Sequence, residues 1–212
     1  MCRLLYVKSD RPFEVEPHLQ AFAQVARNSS EYQGHGWGCA CFDGEEWSVF
    51  RSVNPIWDAD LTRFHPARIV FAHARSAFRN EGIAVENNMP FRQGDDLFIF
   101  NGELHGVKIK SPGRIGAEKI FNLIRRFDDG DLVGAVKKTM DILGRRTDRI
   151  RAVNMIIGNS RQTVLCSLFN EEAEYFTMSE KKENGMHRIC SKPYPHEEGW
   201  SEIKNHTFGA LG

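Results

Sequence analysis

The chain begins MCRLLYV (residues 1–7). Leu4, Leu5, Tyr6 and Val7 form an unbroken apolar run, which reads as a buried strand. Cys2 stands directly before it, and two readings of that cysteine are open. In one it is a small buried residue at the start of the strand. In the other, Met1 is removed and Cys2 becomes the first residue, with a thiol as nucleophile and a free α-amine as its base.

The remaining sequence sets limits. Its 212 residues suffice for a single domain spanning 1–212. Lys plus Arg and Asp plus Glu are both 28, and 41% of residues are hydrophobic. A zero net charge gives no electrostatic reason to expect nucleic acid or an anionic membrane as partner. No stretch has the length of a transmembrane helix, and the start lacks the pattern of a secretory signal. A cytoplasmic protein is expected. The five cysteines (Cys2, Cys39, Cys41, Cys166, Cys190) lack paired spacing, so reduced thiols are expected. Cys39-x-Cys41 has neither the two-residue gap nor the second pair of a zinc knuckle, so no metal is expected, and no cofactor is implied.

Periodicity places the elements. After the first strand, Leu19, Phe22 and Val25 or Ala26 fall on one helical face. Trp37–Phe42 alternates as a strand, and Asp43-Gly44 turns it into a second strand at Trp47–Phe50. Asp58–Phe64 reads as a short helix, Arg68–Ala72 as a buried strand and Ser76–Asn88 as a loop. Leu97–Phe100 is another buried strand, stopping at Asn101-Gly102. Helical patterns cover Ala117–Phe127 and Leu132–Leu143. Strands are expected again at Ala152–Ile157, Thr163–Leu168, Ala173–Thr177 and Arg188–Ser191. Strands, then two helices, then strands argue for an α+β fold with mostly antiparallel sheets.

Four stretches at strand ends combine polar residues and glycine: Cys2-Arg3, Gly36-Trp37-Gly38, His73-Ala74-Arg75 and Phe100-Asn101-Gly102-Glu103-Leu104. Strand ends are where a scaffold presents side chains to a ligand. Asn101-Gly102 is either a plain turn or an oxyanion hole built from the Asn101 amide and the Gly102 N–H. Arg75 is either a surface charge or a two-pronged clamp for a carboxylate. His73 reads as a hydrogen-bonded structural residue.

In this order, the four stretches resemble the class II glutamine amidotransferases of the N-terminal nucleophile hydrolase superfamily, most of all the small stand-alone YafJ-like and EgtC-like members. The residues that carry the resemblance are the initial MCR, GHGWGCACF (34–42), HARSAFRN (73–80), ENNMPF (86–91) and FNGEL (100–104). The resemblance implies a four-layer αββα sandwich. It implies Cys2 as nucleophile, Asn101 and Gly102 as oxyanion hole and Arg75 on the substrate carboxylate, with Trp37 and Phe78 read as substrate-lining. The substrate would be glutamine or a γ-glutamyl compound, the ammonia would pass to a synthase partner or be released, and a homodimer is compatible with this type. Four positions depart from the family pattern: Asn80, Met89, Phe100 and Gly116. Gly116 stands where relatives carry the Asp for the substrate α-ammonium, and Glu118 is the nearby acid for that task. Two alternatives follow from these departures: a hydrolase of another γ-glutamyl amide by the same mechanism, and a non-catalytic binding module.

Overall fold

The computed structural model describes residues 1–212. Twelve strands and four α-helices follow in the order β1 (Arg3–Phe13), α1 (Val15–Arg27), β2 (Trp37–Phe42), β3 (Trp47–Ser52), β4 (Ala67–Ala74), β5 (Phe91–Gln93), β6 (Asp96–His105), α2 (Gly116–Phe127), α3 (Leu132–Arg146), β7 (Arg149–Gly158), β8 (Thr163–Phe169), α4 (Ala173–Phe176), β9 (Ser179–Glu183), β10 (Met186–Cys190), β11 (Ser201–Glu202) and β12 (Thr207–Leu211). One sheet has seven strands in the order β11-β9-β10-β1-β4-β2-β3, the other five in the order β12-β8-β7-β6-β5. Every pairing is antiparallel. No helix is long and apolar enough to cross a membrane.

The period-two alternation of strands sorts the core into layers. Leu5, Val7, Val70 and Ala72 pack with Leu19, Phe22 and Val25 of α1 on the outer face of the seven-stranded sheet. Leu4, Tyr6, Ile69 and Phe71 lie on the inner face, in one cluster with Leu97 and Ile99 of the five-stranded sheet. On the far side of that sheet, Phe98 stacks on Phe121 of α2 at 5.3 Å. The layers run α1, seven strands, five strands, α2 and α3, which is the four-layer α+β sandwich the sequence led us to expect.

Local chemistry explains the ends of the elements. The Asp43 carboxylate accepts from the N–H groups of Glu45 and Glu46 at 2.7 and 2.9 Å, closing the β2–β3 turn. The Asp131 side chain accepts from Gly134 N at 2.9 Å and caps α3. Gly36 and Gly38 keep one face of β2 bare, and the Asn88-Met89 segment lies upon it. A Cβ on Gly36 would fall 2.1 Å from Asn88 Nδ2, and one on Gly38 would fall 2.6 Å from the Met89 carbonyl oxygen.

Three expectations need correction. The strand at Leu97–Phe100 does not stop at Asn101-Gly102: β6 runs on to His105, with Asn101 paired to Asn154 and Gly102 to Val153 of β7. Asp58–Phe64 is not a helix; a single 3-10 turn, Ile56–Asp58, precedes it, and the Asp60 carboxylate then binds the Thr62 N–H in a local turn that competes with helix. Ala173–Thr177 is not a strand but the one-turn helix α4. It buries Phe176 and returns the Thr177 hydroxyl to the Ala173 carbonyl at 2.7 Å. The short strands β5, β9, β11 and β12 escaped the periodicity reading because their partners, not an apolar face, define them.

Gly36 has a φ of +114° and no room for a side chain, whereas Gly144 lies in α3 with nothing within 4 Å of a new Cβ. Gly36→Ala is therefore expected to destabilise by more than about 2 kcal/mol, and Gly144→Ala to stabilise by about 0.5–1 kcal/mol. Urea midpoints of the two variants check this.

Candidate functional site

Alternation continued one residue before β1 puts Cys2 on the same side as Leu4 and Tyr6, between the sheets. On β4, His73 and Arg75 follow Ile69 and Phe71 onto that same inner face. On β6, Phe98 and Phe100 stack at 6.2 Å on the α2 side, so Leu97, Ile99 and Asn101 face inward. Three chain segments far apart in sequence thus bring Cys2, His73, Arg75 and Asn101 to one end of the inter-sheet layer.

The Cys2 thiol donates to the Ser76 carbonyl at 3.7 Å. Burial pushes its pKa above the usual thiol range, while the adjacent N-terminal ammonium and Arg75 pull in the opposite direction without overcoming burial. This thiol keeps its proton at neutral pH, so any nucleophilic role for it requires a base.

Arg75 is 5% exposed. Its Nη1 donates to the Gly82 carbonyl at 2.8 Å and to Asn88 Oδ1 at 3.4 Å, while Asn88 Nδ2 donates to the Ser52 carbonyl at 2.6 Å. Backbone bonds between His35 N and Arg75 O (3.1 Å) and between Arg75 N and Gly36 O (2.8 Å) tie the end of β4 to the GHG stretch. The His35 ring accepts from Ala77 N at 2.9 Å. The bare glycine face of β2 therefore holds Asn88, Asn88 helps hold Arg75, and Arg75 holds the 76–88 segment beside Cys2.

Asn101 is 1% exposed, and its Oδ1 has no hydrogen-bond partner. It stands across from Asn154 on β7. Asn154 Nδ2 donates to the Phe176 carbonyl at 2.7 Å, and its Oδ1 accepts from the Ser167 hydroxyl at 2.9 Å. Gly102 has no alternative: a Cβ there would fall 2.3 Å from the Ala152 carbonyl oxygen. Fully buried His73 has its pKa lowered to about 3, first by desolvation and then by Arg75.

The remaining candidates stand elsewhere. Trp37 is fully buried on the α1 side, 5.2 Å from Phe50 and 5.9 Å from Phe64. A substrate contact through Trp37 is corrected to a core role, because alternation along β2 turns it away from the inner face. Phe78 is 60% exposed on a 3-10 turn next to the site. Glu118 is held below the usual carboxylate range by hydrogen bonds from Arg114, whose backbone N, Nε and Nη2 all donate to it. At Gly116, nothing lies within 4 Å of a Cβ. A polar cleft of about 320 Å³ lies at Asp96, Arg125 and Asn159, and a groove of about 450 Å³ at Gln20 and Trp57; neither includes any of these residues.

No protein-family model matches the sequence, and no curated protein matches it. Solved structures do. The glutamine phosphoribosylpyrophosphate amidotransferase of B. subtilis, complexed with ADP and GMP, superposes with a TM-score of 0.64 at 15% identity over 90% of this chain. A glutamine aminotransferase class-II domain protein from Silicibacter pomeroyi gives 0.66 at 16% identity, covering 96% of this chain and 92% of that one. The chain has the fold of the class II glutamine amidotransferases. A predicted glutamine amidotransferase from Pseudomonas aeruginosa is similar over 99% of this chain and 96% of its own, with a TM-score of 0.60 at 14% identity. The chain spans 42% of the B. subtilis enzyme and nearly all of the two smaller proteins, so it matches the small stand-alone type of this fold.

Three residues absent from the sequence reading also converge here. The Met1 ammonium pairs with Glu31, and the Met1 carbonyl accepts from Gln33 Nε2 at 2.7 Å and from the Tyr175 hydroxyl at 2.5 Å. Nothing in the motifs pointed to them; a fully buried Gln33 in a glycine-rich connection is visible only in three dimensions.

His73 is neutral when folded, so the unfolded chain binds the extra proton. Its stabilisation is complete above pH 6.5 and falls as the pH drops toward 3. Between pH 7 and 5, His73→Gln is expected to lose about 2 kcal/mol less than the unaltered chain, measured by urea unfolding at the two pH values.

Proposed function

We propose that this chain is an amide hydrolase of the glutamine amidotransferase type, with Cys2 as nucleophile once Met1 has been removed. The observation that carries the reading is the convergence of Cys2, Arg75 and Asn101 on the inner face at one end of the sandwich. Cys2 has a protonated thiol, and its freed α-amine, ordinarily of pKa about 7.7–8.0, is the nearest base at neutral pH. The amine takes the thiol proton as sulfur attacks the amide carbon. The oxyanion is held by Asn101 Nδ2 and the Gly102 N–H. Arg75 Nη2, which has no hydrogen bond within the chain, takes the substrate carboxylate. The proton passes to the leaving amine, the C–N bond breaks, and water hydrolyses the thioester. Cys2 is thereby regenerated. An ammonia-accepting synthase, in this reading, lies outside these 212 residues.

A second reading concerns the substrate. The N-terminal turn of α2 offers no free carboxylate for an α-ammonium: Gly116 has no side chain, and Glu118 is taken by Arg114. An amide without a free α-ammonium at that point, such as an N-acylated glutamine, fits better than glutamine. Turnover of free glutamine faster than every such amide would reject it.

The test of the chemistry is intact mass after exposure to an electrophilic glutamine analogue. Loss of Met1 and one covalent adduct, absent in Cys2→Ala, is the expected result; a processed chain that forms no adduct and releases no amine from any amide speaks against the reading. With a turned-over amide in hand, Asn101→Ala is expected to lower kcat about 10²–10³-fold through loss of one oxyanion donor.

A further inference from the structure

Met1 fills a site built for it. Its ammonium pairs with Glu31, which also lies 3.9 Å from Arg151. Its carbonyl oxygen accepts from Gln33 Nε2 and the Tyr175 hydroxyl. Its side chain packs with Tyr175 against Ala152, Phe169 and Phe176, leaving it 10% exposed. These are three separate contacts to the three parts of an amino acid: ammonium, carboxyl carbon's oxygen and unbranched apolar side chain.

The walls are anchored without Met1. Gln33 is fully buried, and its Nε2 also donates to the Glu31 carbonyl at 2.8 Å and lies 3.3 Å from the Ser29 hydroxyl. Its Oε1 has no partner. The Tyr175 ring lies under the Arg3 guanidinium at 3.9 Å, and the Phe176 carbonyl is fixed by Asn154. Arg151 is held by Glu103 and Glu172. Removing Met1 takes away the occupant and leaves these bonds in place.

We infer that, in the chain that begins at Cys2, this nest binds a free L-α-amino acid with an unbranched apolar side chain. The Met1–Cys2 peptide bond is the one that is cut, so the carboxylate of such a ligand abuts the new α-amine of Cys2. Its own ammonium takes the place of Met1's on Glu31, and its carboxylate takes the two donors that held the Met1 carbonyl. The ligand is thus recognised at both polar ends and sits against the base. The inference rests on Met1 removal from the proposed function, and it adds a binding site beside the nucleophile that the amide chemistry does not require.

The experiment uses the full chain released from a cleavable N-terminal fusion so that Cys2 is first, whatever cells do with Met1. L-methionine is the probe, followed by NMR and by protection of Cys2 from alkylation. Saturable binding at about millimolar concentration is expected for so small a ligand. L-norleucine should bind equally well, while N-acetyl-L-methionine, D-methionine and L-methioninamide should bind more weakly. Glu31→Gln, at a half-exposed position outside the core, should weaken L-methionine about fivefold. The same chain with Met1 retained should bind none, because its nest is full. No saturable binding at tens of millimolar, or equal binding by the Met1-bearing chain, overturns the inference. Amide turnover is scored separately: turnover without methionine binding removes the nest alone, and methionine binding without turnover of any amide removes the amidase reading alone.

Discussion

β1 is hydrogen-bonded along both edges, to β10 and to β4, and its first five residues are buried on both faces. Leu4 and Tyr6 enter the layer between the sheets, Leu5 and Val7 the layer under α1. A slip of one residue would exchange these two sets and carry Cys2 from the inner face to the outer one. Both layers are apolar, so the cost of the slip is misfit: each side chain would enter a layer packed for another, at roughly 1–3 kcal/mol. The position of Cys2 is fixed by packing several residues further along the strand, with no dedicated contact to the sulfur needed.

Around this fixed point the site is assembled by close approach of backbones. Gly36 and Gly38 let the 88–89 segment lie on β2, and Gly102 lets β6 and β7 approach where a side chain would collide with the Ala152 carbonyl. Polar groups are buried as a consequence. Arg75, Asn88 and Asn154 have their partners within the chain, but Asn101 Oδ1 and the ring nitrogens of His73 do not. Unpaired buried groups of this kind are costly.

The first residue of the chain is part of this arrangement. Met1 is gripped at its ammonium, its carbonyl and its side chain, immediately next to the thiol. Met1 and Cys2 lead directly into β1, so the contacts that hold Met1 also fix the backbone beside the Cys2 thiol. The same Asn154 that stands across from Asn101 on β6 holds the Phe176 carbonyl, beside the surface that the Met1 side chain packs on.

Much of this was legible in the residues alone. Leu4–Val7, Trp37–Phe42, the Asp43-Gly44 turn, both helices after residue 115 and the strands near 152 and 163 follow from periodicities of two and 3.6 that neighbours along the chain define. Cys2, Arg75 and the Asn101-Gly102 pair stood out as candidates because such residue types beside apolar strands are unusual, but that Asn101 and Gly102 lie inside β6 and not at its end was not legible. Trp37 was misread because the same alternation that makes β2 a strand turns it toward α1, and a motif does not say which face is which. α4 was misread because Ala173–Thr177 alternates on paper, while the buried Phe176 and the turn at Glu172 decide its backbone. The contact of Tyr175 with Met1 joins residues 174 apart, and that of Glu31 with Met1 joins residues 30 apart. Local sequence determines which face of an element is apolar. Only the packed structure decides what meets at the ends of those elements, because the free energy that brings them together belongs to the whole core.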